Sequence, residues 1–348
     1  MKLEIKILDA FNGDSFLISM EDKLIKNIVV DGGISKTYIR DLHSEIELIE
    51  SKGQDIDLMF ITHVDDDHIG GIISFFEDDA IKKNIVKRVV YNSALTISKH
   101  LNVKYDSSRE IEINNISQRE MSYEQGKTLE GELLKYNLLE PKVIKALDKI
   151  DLGPASLTIL SPREDDIKRL YNKWERETSD KKKASSSEND YKKSIKCLLE
   201  EDKYRKDKSI VNISSISFLL EYGDFKILML ADSTSDIITI SLNSLGYTKN
   251  NKLIVDYVKL PHHGSKNNLN YDLLEIIDCK KYIISTDGSI FNHPDKITLA
   301  RILSVFNNVE FYFNSSVCEE IFLEEDKEEY DFTFTKTDIL ELKDERDI

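Results

Sequence analysis

The densest chemistry in the chain occupies six consecutive positions, His63-Val64-Asp65-Asp66-Asp67-His68. Two imidazoles and three carboxylates there directly follow an apolar run, residues 57–62. Buried without partners, such a group would lose its hydration while its like charges repelled one another. One or two divalent cations at the strand end remove both costs. In an extended turn His63, Asp65 and Asp67 project to one side, and His68 opens the next element. Gly70 and Gly71 follow at once and permit close packing where a helix begins. Imidazole with carboxylate is a donor set for divalent transition metals.

Further candidates leave other apolar runs. Asp232 follows Met229-Leu230-Ala231, where a solitary carboxylate either caps a helix starting near Ser233 or binds a cation. His262 and His263 end the run Lys259-Leu260-Pro261. Adjacent side chains are expected to diverge, which leaves one of these imidazoles for a metal and the other for substrate contact or proton transfer. His293, before Pro294, ends a further strand-to-helix region. Five of the seven histidines thus fall in three strand-exit loops, while His43 and His100 sit in ordinary polar or helical context.

The elements that must carry these loops read as an alternation of strands and helices. Strand patterns occupy residues 2–9, 15–20, 27–30, 57–62, 86–91, 156–162, 257–260, 281–285 and 331–335, with a hairpin over 213–222 and 225–231 turning at Gly223-Asp224. Helical spacing covers 36–52, the stretch from Gly70 and a segment near 270–278. This order predicts an α/β fold, a four-layer αββα sandwich with two sheets inside and helices outside. The chain is read as one domain, residues 1–348, interrupted by a charged insertion at 163–208. That insertion holds 15 Lys/Arg and 12 Asp/Glu in a chain whose net charge is −16. Its Lys181-Lys182-Lys183-Ala184-Ser185-Ser186-Ser187 run cannot bury itself. It is expected to be either a solvated helical excursion or a flap contacting an anionic substrate or a protein partner.

No apolar run is long enough to span a bilayer, the N-terminus lacks a secretion-type stretch, and three widely spaced cysteines make no disulfide framework. The expected setting is cytoplasmic, without a membrane partner. An acidic balance argues against binding polyanions over the whole surface and leaves a local site open.

His63-x-Asp65-x-Asp67-His68-x-Gly70-Gly71 resembles the HxHxDH signature of the metallo-β-lactamase superfamily, with Asp in place of the second His. With Asn12-Gly13-Asp14-Ser15, Val30-Asp31-Gly32-Gly33, Asp232 and Pro261-His262-His263-Gly264-Ser265, it is similar to the hydrolase domain of the bacterial competence DNA-uptake channel. The likeness spans roughly residues 3–294 and implies an αββα sandwich, a two-metal site and hydrolysis of phosphodiesters such as DNA. The superfamily commonly supplies one more His between the first cluster and the bridging Asp. Only His100 lies in that interval here, so one metal position is left to be completed by His262 or His293.

On that basis His63 and Asp65 are expected to hold one ion, Asp67, His68 and His263 the other, and Asp232 to bridge them. Asp67, His262 and His293 are the expected catalytic groups. Asp67 would orient the attacking water, and His262 or His293 would protonate the leaving group or hold a phosphate oxygen. Ser265 and Lys266 have the right character for phosphate contact, and Asp14 and Asp31 are read as turn formers and supports. Two divalent ions are expected, Mn²⁺ or Zn²⁺, with Mg²⁺ also compatible, because Asp65 raises the oxygen share. Nucleic acid is the expected substrate. Three alternatives remain: a small cyclic nucleotide as substrate, a thioester or other carboxylic ester as substrate, and a non-enzymatic role as a metal-stabilised component of a defence-type complex. A nuclease should lose affinity log-linearly with salt.

Overall fold

Period-two alternation decides the layers. In the segments Ile28-Val29-Val30 and Leu58-Met59-Phe60, the first and third residues pack into the space between two sheets, and the middle one packs outward beneath helices. The computed structural model describes residues 1–104, 118–176 and 189–344. The first sheet takes β1 (Lys2–Ile7), β2 (Phe16–Glu21), β3 (Ile25–Val30), β4 (Leu58–Phe60) and β5 (Val89–Val90). The chain continues through β6 (Lys149–Asp151), β7 (Ala155–Ser161), β8 (Ser217–Tyr222), β9 (Phe225–Met229), β10 (Leu253–Ile254) and β11 (Tyr257–Lys259). It ends with β12 (Ile277–Asp278), β13 (Lys281–Ile284), β14 (Val309–Phe313), β15 (Phe332–Lys336) and β16 (Ile339–Lys343).

Strand order is β16-β1-β2-β3-β4-β5 in one sheet and β15-β14-β13-β11-β9-β8-β7-β6 in the other, with β10 and β12 as a separate pair. Both large sheets are mixed. β3, β4 and β5 run parallel, as do β9, β11, β13, β14 and β15, while the remaining pairings within these two sheets are antiparallel. The inner core joins Phe16, Ile18, Val30 and Phe60 to Ile159, Phe218, Met229 and Ile283, and the Phe60 and Phe218 rings meet at 4.7 Å. Each such fully buried side chain contributes roughly 1.5–3 kcal/mol. Outside the first sheet lie helices Asp66–Glu77 and Gln118–Lys135, and outside the second lie Ser235–Ser244, Tyr271–Ile276 and Lys296–Val305. The architecture is the expected αββα sandwich.

Two stretches differ from the pattern-based reading. Residues 210–213 form a short helix capped by Ser209, so the strand expected from 213 begins only at Ser217. The helix expected from Gly70 starts at Asp66, which puts Asp67 and His68 in its first turn. The insertion is also less solvated than its charge suggests. Helix Glu164–Arg176 buries Ile167, Leu170 and Tyr171, and Arg301 and Lys296 reach from the second sheet's outer layer to hold the returning limb. Arg301 grips Asp202 through two hydrogen bonds of 2.8 and 2.6 Å, and Lys296 donates to the Lys193 carbonyl at 2.7 Å. The Lys181–Ser187 run lies outside the described residues. No helix among the described residues is long and apolar enough to cross a membrane.

Candidate metal centre

The donors leave the carboxyl ends of the parallel strands, the edge at which open α/β sheets present their crevices. Asp31 follows β3, His63 follows β4, Asp232 follows β9, and His262 and His263 follow β11. Several of these exits turn through the left-handed region: Asp31 has φ 56°, Ala231 45°, His262 48° and His263 55°. Such backbone is costly for non-glycine residues and persists only where the surroundings impose it. The exits also require close approach. A Cβ on Gly71 would sit 2.0 Å from the Gly32 carbonyl oxygen, and one on Gly13 would sit 1.8 Å from that of Asp67. Glycine there lets the Asn12-Gly13 turn and the Asp31-Gly32 exit close on the helix that bears Asp67 and His68.

Everything converges on Asp232. Its Oδ2 lies 3.7 Å from His63 Nε2 and 3.6 Å from His262 Nε2. Its Oδ1 lies 3.6 Å from His68 Nε2 and 3.7 Å from His263 Nε2. Asp65 Oδ2 stands 3.7 Å from His63 Nε2, and Asp67 Oδ2 stands 3.9 Å from His263 Nε2. These spans are too long for hydrogen bonds, yet they suit shared coordination, since ligands 2.1 Å from a tetrahedral ion lie about 3.4 Å apart. His63, His68 and Asp232 form one group able to hold an ion, and Asp67, His68 and His263 form another. His63 Nε2, His68 Nε2, His263 Nε2 and Asp232 Oδ1 are all buried without a hydrogen-bond partner among the described residues. A cation is what such converging lone pairs would satisfy. The arrangement therefore has capacity for one or two divalent ions.

Hydrogen bonds on the far side of each ring fix which nitrogen carries the proton. Thr62 donates its hydroxyl to Asp31 Oδ2 at 2.7 Å, which leaves the Thr62 hydroxyl oxygen to accept from His63 Nδ1 at 3.0 Å. His68 Nδ1 donates to Asp31 Oδ2 at 2.8 Å, His263 Nδ1 to the Ser285 carbonyl at 2.9 Å, and His262 Nδ1 to Asn268 Oδ1 at 3.1 Å. In its neutral form every ring is thereby left with an Nε2 lone pair facing the centre. Burial and then the neighbouring His68 push His63 well below the ordinary histidine range. Burial opposes charge on His68 too, but Asp232 and Asp31 on either side hold it well above that range. Burial alone would raise the Asp232 carboxyl, yet His262, His68 and His263 keep it well below the usual value.

The adjacent histidines do not diverge as expected. Consecutive left-handed residues fold the Pro261–Gly264 turn so tightly that both rings present Nε2 to the same carboxylate, one to each oxygen. Asp232 is not a helix cap, because the following helix starts at Ser235 with Thr234 preceding it. His293 is half-buried beside the group, its ring 5.3 Å from that of His262 and its Nδ1 3.5 Å from Asp295 Oδ2. Lys266 is tied to Asp295 at 2.7 Å, and Ser265 is buried. His100 bonds Glu164 at 2.9 Å and His43 lies 3.4 Å from Asp78, so neither joins the centre.

Several supporting contacts were not assigned from the sequence. Asn12 donates to Asp67 Oδ2 at 2.9 Å, Gln125 bonds Asp66, and Asn212 donates to Asp207 Oδ2 at 2.7 Å. Asp207, delivered by the returning limb of the insertion, lies 3.7 Å from His262 Nδ1. Lys259 is buried against Asp14, which is itself 3.3 Å from His263 Nδ1. Burial would raise the Asp14 carboxyl, but Lys259 and His263 hold it well below its ordinary range. The one legible hint was a lysine inside an apolar strand, which has to find an acid.

Imidazole and carboxylate clusters at the strand ends of an αββα sandwich define a metal-dependent enzyme. Residues 8–93, which include the His63–His68 loop, match the family model for the metallo-beta-lactamase superfamily. No curated protein matches the sequence. Among solved structures it is similar to the metallo-beta-lactamase fold protein YhfI from Bacillus subtilis, at 10% identity over 98% of this chain and 100% of that one, with a TM-score of 0.46. It is similar to Zn²⁺-bound PqqB from Methylobacterium extorquens at 10% identity, covering 99% of this chain and 100% of that one, TM-score 0.43. It also resembles CmlA, a diiron β-hydroxylase from Streptomyces venezuelae, at 12% identity over 98% of this chain but 54% of the hydroxylase, TM-score 0.43. Likenesses this distant carry no argument about reaction or substrate.

Proposed function

We propose that the chain is a nucleic-acid phosphodiesterase working with two divalent ions. The observation that supports this best is the placing of Asp232, whose two oxygens each face two imidazole Nε2 atoms at 3.6–3.7 Å. His63, His262 and Asp65 would share one ion with Asp232 Oδ2, and His68, His263 and Asp67 the other with Asp232 Oδ1. His262 thus takes the place of the missing histidine. Two nitrogens and two oxygens per ion favour Mn²⁺ over a nitrogen-rich zinc set, with Zn²⁺ next.

When bound, such a pair of ions acidifies water and stabilises charge on both the attacking and the leaving oxygen of an in-line displacement. The protein's own part is orientation and proton handling. Asn12 fixes the Asp67 carboxylate, and Asp31 and Thr62 fix the rings of His63 and His68. His293, half-buried one ring from His262, would protonate a leaving oxygen.

Elemental analysis of purified protein should give a stoichiometry near two. Asp67→Ala combined with His68→Ala should lower it and abolish Mn²⁺-dependent cleavage of linear DNA while the fold survives. Cleavage by that double variant at the wild-type rate would remove this centre from the reaction.

A further inference from the structure

The imidazole rings of the centre continue outward as a trail that ends in solvent. Ring centroids run from His63 to His68 at 4.1 Å, to His263 at 5.3 Å, to His262 at 5.8 Å and to His293 at 5.3 Å. The next ring is Phe291, 6.1 Å from His293. The four innermost members lie within the buried centre or at its edge, whereas Phe291 is 43% exposed and Ile290 beside it 53%. Single exposed apolar residues are ordinary on a protein surface. An adjacent pair one ring away from a metal centre is a different matter, provided the loop that carries it is held.

That loop is clamped at both ends. Asp287 N–H donates to the Phe11 carbonyl at 2.7 Å, which ties the loop to the Asn12 turn that holds Asp67. Gly288 N–H donates to Thr286 Oγ1 at 3.2 Å and Ser289 N–H to Asp287 Oδ1 at 2.9 Å. On the other side Asp295 N–H donates to the Gly264 carbonyl at 3.1 Å, and its carboxylate accepts from the Lys266 backbone N–H at 2.9 Å. The exposed ring is therefore presented by backbone fastened to the Asn12 turn and to the turn bearing His262 and His263.

Charge narrows what the ring can hold. The chain carries −16 overall, and Lys266 is engaged by Asp295, Lys259 by Asp14 and Arg40 by Asp9. Beyond the ions themselves, a polyanionic strand gains little Coulomb attraction from these side chains, so uncharged contact has to add to its affinity. A flat aromatic face beside a phosphate-cleaving site offers base stacking, which accepts any base and demands one that is unstacked from its neighbours.

We infer that Phe291 is a stacking platform for a nucleobase flanking the scissile phosphate, which makes single-stranded nucleic acid or a frayed strand end the preferred substrate. This deepens the phosphodiesterase reading and rests on it. The test compares kcat/KM of wild type, Phe291→Ala and Phe291→Trp, with Mn²⁺, on a single-stranded oligonucleotide and on an abasic strand of the same length. Phe291→Ala should lower the ratio of base-bearing to abasic cleavage about tenfold, mainly through KM, and Phe291→Trp should restore it. Wild type should also prefer the single strand to its duplex. An unchanged ratio in Phe291→Ala, or equal losses on both strands, overturns the platform while leaving the phosphodiesterase reading intact. Wild type that cleaves neither strand overturns both.

Discussion

The two halves of the centre are supported differently. His63 and His68, from the first sheet, share one buried carboxylate: Asp31 holds His68 directly and His63 through the Thr62 hydroxyl. His262 and His263, from the second sheet, lean on neutral acceptors, the Asn268 amide and the Ser285 carbonyl. Charge stands behind those acceptors, in Asp207 at 3.7 Å from His262 Nδ1 and in the buried Lys259–Asp14 pair behind His263. A shared anion couples its two imidazoles so that one change disturbs both. Separate neutral acceptors let each imidazole fail alone, and a backbone carbonyl cannot be removed by substitution at all.

The largest expected effect comes from the buried pair. Lys259→Met strands the Asp14 carboxylate between the sheets, and breaking such a pair from one side costs roughly 3–5 kcal/mol. Urea unfolding should show that loss, and adding Asp14→Asn should recover a large part of it. No loss in the single variant would mean that the second half of the centre does not depend on charge even at one remove.

Asp31→Asn tests the coupling itself. The amide can still accept from one partner but cannot serve Thr62 and His68 as an anion, so both imidazoles lose orientation. Metal affinity should fall by about 10–100-fold at both positions together, as for other outer partners of metal-binding histidines. Titration calorimetry that shows one ion weakened and the other untouched would mean that Asp31 does not couple the two imidazoles.

Asp295 is a charged anchor in the second half that holds a loop in place of a metal-directed ring. Burial would raise its carboxyl, but His293 and Lys266 hold it down to about 2. A carboxyl depressed from 3.8 contributes its stability above the unfolded value and loses it as pH falls towards the folded one. Asp295→Asn should thus cost about 2 kcal/mol at neutral pH, and about half of that gap should remain at pH 3. Unfolding midpoints of the pair measured at pH 7 and pH 3 decide it; a gap that does not shrink in acid would mean that the carboxylate charge is not what holds the loop.

The sequence made the first half of the centre far more legible than the second. The His63–His68 loop packs its donors into six positions after an apolar run, and period-two alternation in β3 and β4 fixes which residues face inward. Asp232 and the His262-His263 pair were visible as polar residues ending apolar strands, but their shared focus was not. It depends on consecutive left-handed residues in the Pro261–Gly264 turn, and a local pattern of His-His carries no such information. Asp207 and Asn268 were invisible for another reason. Each is an ordinary polar residue in a loop: Asn268 matters because the turn after His262 folds it back onto that ring, and Asp207 because folding brings it to the same ring from a remote segment. Charge composition also misled: the insertion reads as solvated, yet its first helix buries Ile167, Leu170 and Tyr171.

The smallest effect belongs to the neutral anchor. Asn268 is fully buried, accepts from His262 Nδ1 at 3.1 Å and donates to the Asp232 carbonyl at 3.0 Å. Asn268→Ala frees one ring alone, because Asp31, Thr62 and Ser285 still hold the other three. Affinity for one ion should fall by about tenfold while the second binds as before, the low end of what outer partners contribute. Asp207 lies 3.7 Å from the same nitrogen and can take over as acceptor, which keeps the loss modest. Removing both acceptors, Asn268→Ala with Asp207→Ala, should therefore exceed the sum of the single losses in free energy. Strict additivity in that cycle would mean that the insertion's carboxylate plays no part in orienting His262.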